Sequence, residues 1–142
     1  ITMILNGALG GLVAVTAGPD LYDIYTPILI GAIGGGLVVV SVSTFDKLRI
    51  DDPVGALSVH LVNGIWGTIA VGLFASNGDD ITLLGQLKGI FVIAIFAFVS
   101  SFVILYIINK IMPLRAGNDE EMQGLDVEEC GLEAYPEFKR AF

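Results

Sequence analysis

Four stretches of this chain contain no Asp, Glu, Lys or Arg: Ile1–Pro19, Ile24–Phe45, Pro53–Gly78 and Gly89–Asn109. A helix needs about 20 apolar residues to cross the hydrocarbon core of a bilayer. Each run approaches or exceeds that length. The pattern predicts an all-α membrane protein with four transmembrane helices, over about residues 1–18, 24–45, 53–75 and 84–110. Turn chemistry separates them, at Gly18-Pro19-Asp20, Asp51-Asp52-Pro53 and Asn77-Gly78-Asp79-Asp80. Composition agrees: 54% of the 142 residues are hydrophobic and 15% are charged, against about 25% charged in soluble domains. A soluble fold of this size could not hide so much apolar surface.

The net charge of −8 is unevenly placed. Residues 1–110 hold seven acids and four bases, and residues 111–142 hold eight acids and three bases. Most of the excess therefore lies in the last stretch, which reads as an acidic tail. Lys47 and Arg49 lie in the second loop, Lys110 and Arg115 flank the tail, the third loop has only Lys88 and the first loop has neither Lys nor Arg. The positive-inside rule then puts the second loop and the tail in the cytoplasm. The first residue, Ile1, opens inside an apolar run with no basic segment before it, unlike a signal peptide. The expectation is a fragment whose preceding chain arrives from the cytoplasmic side.

Several functions lose their usual carriers. One cysteine, Cys130, and one histidine, His60, give neither a disulfide framework nor a multi-ligand metal site within one chain. A lone cysteine in a reducing cytoplasm is more often inert than a metal or redox site. No basic patch suggests nucleic acid. No nucleophile stands near a base, no loop could cradle phosphate and no span holds a carboxylate pair. Neither an enzyme nor a bound cofactor is expected.

Glycine is dense inside the first three spans, and Gly7-x-x-x-Gly11 and Gly31-x-x-x-Gly35 have the spacing that lets membrane helices approach closely. Tight packing is the preferred reading over any direct ligand role. The fourth span differs. Its Ile, Phe, Leu and Tyr side chains are bulky almost all round, as on a peripheral helix facing lipid.

His60 is an ionisable side chain in the interior of the third span, and such a residue by default suggests function. At helical spacing Ala56, Asn63, Gly64 and Gly67 share its stripe, while Trp66 faces elsewhere. An imidazole among small residues could relay a proton or guide a small polar solute through a narrow apolar pore. It could equally be a structural histidine bonding a neighbouring helix. Asn6 and Asn63 are the other polar groups of note, with helix–helix hydrogen bonding the plainer reading, above all for Asn63. Asp52 and Pro53 read as the N-cap and first residue of the third helix.

The segment Asn6-Gly7-Ala8-Leu9-Gly10-Gly11-Leu12-Val13-Ala14-Val15-Thr16-Ala17-Gly18 resembles a transmembrane segment of the ammonium transporter (Amt/Mep/Rh) family. So does Phe45-Asp46-Lys47-Leu48-Arg49-Ile50-Asp51-Asp52-Pro53 through His60 and on to Gly64-Ile65-Trp66-Gly67-Thr68. In the tail, Gly124-Leu125-Asp126-Val127 with Gly131 and Ala134-Tyr135 is similar to the family's cytoplasmic C-terminal motif. The resemblance runs in order along nearly the whole chain and is closer to bacterial and archaeal members than to Rh proteins.

That resemblance implies a homotrimer of eleven-helix subunits in the plasma membrane, each with its own pore, of which this chain would supply the last four helices and the cytoplasmic tail. It implies ammonium as substrate, conducted as ammonia or ammonium through a hydrophobic pore lined by two histidines. His60 matches the later of the two, Ala56 a pore-wall position and Asn6 a position at the cytoplasmic vestibule. Gly124, Leu125, Asp126, Gly131 and Tyr135 would belong to a regulatory tail that couples subunits, near where PII-type signalling proteins dock in many members. Where the family motif has His-Gly-Glu, this chain has Cys130-Gly131-Leu132, which puts the details of that coupling in question. A solvated acidic extension is the simpler alternative, although Leu125, Ala134, Tyr135 and Phe138 suggest partial docking. An ammonium sensor with a similar membrane part is the alternative function, and a self-assembling four-helix protein the third.

Overall fold

The structure, a computed structural model, describes residues 2–76 and 80–134. Every regular element among these is helical: α1 (Thr2–Val15), α2 (Thr26–Lys47), a π-helical turn (Ala56–Leu61) running into α3 (Val62–Phe74), α4 (Leu83–Ile111), α5 (Asn118–Gln123) and α6 (Leu125–Cys130). Three helical stretches, 26–47, 56–74 and 83–111, are long and apolar enough to cross a membrane. The first expected span holds α1, a shorter apolar helix among the described residues. At about 1.5 Å per residue, the 14 residues of α1 fall well short of a hydrocarbon core about 30 Å thick. Thr16 turns back onto the Val13 carbonyl, and Gly18-Pro19 ends the helix. The turn at Asn77-Gly78-Asp79 and the tail residues Tyr135 and Phe138 lie outside the described residues.

The packed part is built from α1, α2 and α3, and its contacts run through glycine. A methyl group on Gly11 would come within 2.9 Å of the Gly31 carbonyl oxygen, and one on Gly35 within 3.2 Å of the Gly7 carbonyl oxygen. The two small-residue motifs therefore face each other across the α1–α2 seam, backbone against backbone. Gly67 brings α3 equally close to α1, since a Cβ there would collide with the Ala14 carbonyl oxygen. Ala14, Tyr22, Ile30, Ala70 and Val71 form the buried core at one end of this seam. Trp66 indeed turns from the His60 stripe and donates its indole N–H to the Ile30 carbonyl of α2 at 3.1 Å. The Ser76 amide and hydroxyl both donate to the Leu21 carbonyl, tying the end of α3 to the first loop.

Two helix starts in this part of the molecule are held by carboxylates. Asp23 accepts the Tyr25 and Thr26 amides at 2.9 and 2.7 Å, opening α2. These bonds hold its carboxyl below the usual carboxylate range. Burial pushes the Tyr22 phenol above its ordinary value, and its hydroxyl has no hydrogen-bond partner among the described residues.

No residue of α4 is buried. Phe98, Phe102 and Tyr106, four residues apart, stack along one side, and the Lys110 ammonium caps the row 5.4 Å from the Tyr106 ring centre. Beyond α4, Arg115 pairs with Glu121 at 2.8 Å. Gly124 and Gly131 terminate α5 and α6 with positive φ, 105° and 67°, a backbone conformation that L side chains rarely adopt. Asp126 accepts the Ala134 amide at 2.7 Å. Three residues of the tail motif thus have a turn-forming role visible in the fold, while Leu125 stays 43% exposed.

Candidate functional site around His60

Asp51-Asp52-Pro53 does not begin a helix at Pro53. Residues 53 and 54 form a turn, Gly55 comes next with φ +79°, and regular structure starts at Ala56. Gly55 is required there twice over, because its backbone is left-handed and because a methyl would sit 2.7 Å from Val59 and 3.4 Å from the Asn6 amide nitrogen. Asp52 still caps the segment, but by reaching forward. Its Oδ1 accepts the Leu57 amide at 3.0 Å, and its Oδ2 accepts the Ser58 amide at 2.8 Å and the Ser58 hydroxyl at 2.7 Å. Burial alone would raise this carboxyl. The N–H bonds from Leu57, Ser58 and Ala56 and the Ser58 hydroxyl bond outweigh it and hold the group below the usual carboxylate range.

The first turn is π-helical, with the His60 amide reaching Gly55 and the Val62 amide reaching Leu57. Such turns hold one residue more than an α-turn and are frequent at functional sites. The extra residue rotates the remainder of the helix by about 100° relative to an uninterrupted α-helix. This corrects the stripe drawn from α-helical spacing. Asn63 and Gly67 are buried against α1 and α2, while Ala56 and His60 are exposed, and a methyl on Gly64 would meet nothing within 4 Å. His60 therefore shares an open face with Ala56 and Gly64 and is separated from Asn63 and Gly67. Its imidazole makes no hydrogen bond to the described residues, so none of these helices uses it as a structural link.

Asn63 behaves differently from the expected interhelical bridge. It is fully buried, wedged where methyls on Gly10 and Gly34 would approach within 2.7 Å of its Nδ2 (from Gly10) and 2.9 Å of its Oδ1 (from Gly34). Its amide nitrogen turns back to the Ser58 carbonyl at 3.4 Å, within its own segment. The Ser41 hydroxyl of α2 donates first to the Leu37 carbonyl of its own helix at 2.7 Å and lies 3.2 Å from that same Ser58 carbonyl, and the Asn63 carbonyl oxygen is left without a partner among the described residues. The Ser58 position is thus held from both sides, by Asp52 on its amide and hydroxyl and by Ser41 and Asn63 on its carbonyl. Sequence spacing carries no signal for Ser58 or Ser41, whose roles depend on the wide turn. Asn6 is half-buried on α1, its amide beside Gly55 at the start of this turn.

Cys130 is exposed in α6 and unpaired, and no group of three or more His, Cys, Asp or Glu side chains among the described residues could hold a metal ion.

A family model described as the ammonium transporter family matches residues 1–135. A Synechocystis protein provisionally described as an ammonium transporter is 44% identical over 127 residues, covering 89% of this chain and 28% of its own length. The ammonium transporter Amt1 of Haloferax mediterranei is 38% identical over 135 residues, 94% of this chain and 26% of its own. The ammonium transporter of Bacillus subtilis is 35% identical over 144 residues, 92% of this chain and 36% of its own. The chain thus spans between about a quarter and a third of the length of these relatives. With the match extending over both the His60 segment and the tail, the chain belongs to the ammonium transporter family.

Proposed function

We propose that this chain is part of an ammonium transporter of the plasma membrane and that His60 lines its conduction path. The observation that carries the reading is the open face of the third span. His60 is exposed there without a hydrogen-bond partner among the described residues, beside Ala56 and a Gly64 with free space in front of it. An ionisable side chain directed away from the packed glycine seam, on an otherwise apolar helix, is what a polar solute path requires. Ammonium would lose its proton before entering, because burying the intact ion in an apolar passage is too costly. The neutral molecule would then exchange hydrogen bonds with the imidazole. Ala56 would form the wall one turn away, and Asn6 would lie toward the cytoplasmic vestibule.

In this reading the helices are the last four of an eleven-helix subunit, α1 included, and the subunits form a homotrimer. Residues 111–142 are the cytoplasmic tail, with Gly124, Leu125, Asp126, Gly131 and Tyr135 in a regulatory segment open to a PII-type signalling protein. Family membership and the fraction of each relative that the chain covers support this arrangement. Ammonium uptake by the full-length protein carrying His60→Ala tests the central assignment. Loss of uptake at an unchanged amount of folded protein is expected, and wild-type uptake with unchanged selectivity would overturn it.

A further inference from the structure

Resting on that reading, we propose that Asp52 is a positioning residue for His60, acting through Ser58. The carboxylate lies outside the apolar span and does not touch the imidazole. It holds the turn that aims it. Asp52 takes both the amide and the hydroxyl of Ser58, at 2.8 and 2.7 Å, and the Leu57 amide at 3.0 Å. Ser58 is fully buried, with the Ser41 hydroxyl of α2 and the Asn63 amide nitrogen 3.2 and 3.4 Å from its carbonyl. His60 lies two residues further on, inside the same π-helical turn. A π turn is intrinsically less favourable than an α-turn and persists where local partners hold it. Charge-assisted hydrogen bonds are roughly twice as strong as neutral ones, so the ionised carboxylate is the strongest local partner available. Without it the segment can relax toward α-helical spacing, and His60 then rotates off the face it shares with Ala56 and Gly64.

A carboxylate that only caps a helix would contribute stability and nothing more. Asp23 does that for α2, through two amide bonds of similar length, and it provides the control. In the full-length transporter, Asp52→Asn and Ser58→Ala are each expected to lower ammonium uptake per folded molecule about tenfold, the order expected when charge-assisted bonds are lost. Both should also reduce the preference for ammonium over potassium. Ser58→Thr, which keeps the hydroxyl, should restore most of both, and Asp23→Asn should leave both unchanged per folded molecule. Should Asp52→Asn fail to fold, Ser58→Ala, which removes only the hydroxyl bond to the carboxylate, carries the test alone. Unchanged uptake and selectivity in Asp52→Asn, or in Ser58→Ala if that variant has to serve, overturns the positioning role. An equal loss per folded molecule in Asp23→Asn does so too. Failure of the underlying reading has a different signature, since His60→Ala would then transport normally whatever Asp52→Asn does.

Discussion

Two apolar regions of this protein solve the same problem in opposite ways. Between α1 and α2 glycines meet glycines, Gly67 of α3 meets Ala14 of α1, and the carbonyl of one helix lies where a side chain of the next would otherwise stand. In α4 the residues are large, and none is buried. Both regions are hydrophobic enough for a bilayer, yet only the first holds buried residues. Within lipid, hydrophobicity does not draw helices together, because the tails outside are as apolar as the side chains. Shape decides, and small residues allow the backbone approach that large ones prevent.

The largest effect should come from adding one methyl group to the glycine seam. Gly67→Ala forces α3 away from the Ala14 carbonyl, a backbone atom that cannot rotate aside. Overpacking of this kind costs about 3 kcal/mol at the upper end of its usual range. Phe98→Ala on α4 removes far more atoms, but from a side chain that is 72% exposed, so the expected change is within about 0.5 kcal/mol. Denaturation of the two variants in detergent should rank them in that order. The reverse ranking would break the comparison and show that the bare face of α4 is covered in the assembled protein.

The contrast was legible in the sequence, because glycine spacing and bulk are read residue by residue without knowing any angle. So was the presence of three long apolar helices in the second, third and fourth charge-free stretches. The arrangement around His60 was legible only in part. Placing Asn63 and Gly67 on its stripe assumed 3.6 residues per turn throughout, and the π turn breaks that assumption between Leu61 and Val62. Pro53 looked like a first helical residue because Asp-Pro is a common opening. Here Gly55 takes a left-handed conformation, and the helix begins three residues after Pro53. The reach of Asp52 to Ser58 spans six residues, beyond any local capping pattern. The stripe is broken by one inserted residue and the helix start is delayed by a left-handed glycine, neither of which periodicity can see.

A second substitution sharpens what the seam tolerates. Asn63 is a buried polar residue where α1 and α2 otherwise present glycine. Asn63→Leu keeps the branching and the heavy-atom count of the side chain, with bulkier methyl groups in place of the amide, and removes one donor from the Ser58 carbonyl. It also removes an unpartnered carbonyl oxygen. The first loss costs about 1 kcal/mol and the second change offsets part of it. A net destabilisation smaller than that of Gly67→Ala is expected in the same denaturation assay. A gain in stability would mean that the orphaned oxygen outweighs the bond, and that the polar group is kept for function.

Acid should separate the two regions more gently. The packed part depends on carboxylates at its helix starts, Asp23 for α2 and Asp52 for the π turn, and α4 contains no acidic residue at all. Both carboxyls are lowered from an unfolded value of 3.8. A lowered folded pKa means that the contribution to stability is fully present above that value and is lost as pH falls through the folded one. Between pH 5 and 3, amide hydrogen exchange corrected for its intrinsic pH dependence should therefore accelerate at Tyr25, Thr26, Leu57 and Ser58, the amides that these carboxylates hold. Exchange along α4 should not change over the same interval. Asp23→Asn should abolish the acid response at Tyr25 and Thr26 while leaving that of Leu57 and Ser58 intact, and Asp52→Asn should do the reverse. A uniform acceleration across all helices would instead mean that acid loosens the glycine seam itself, so that the caps and the packing it encloses unfold as one unit.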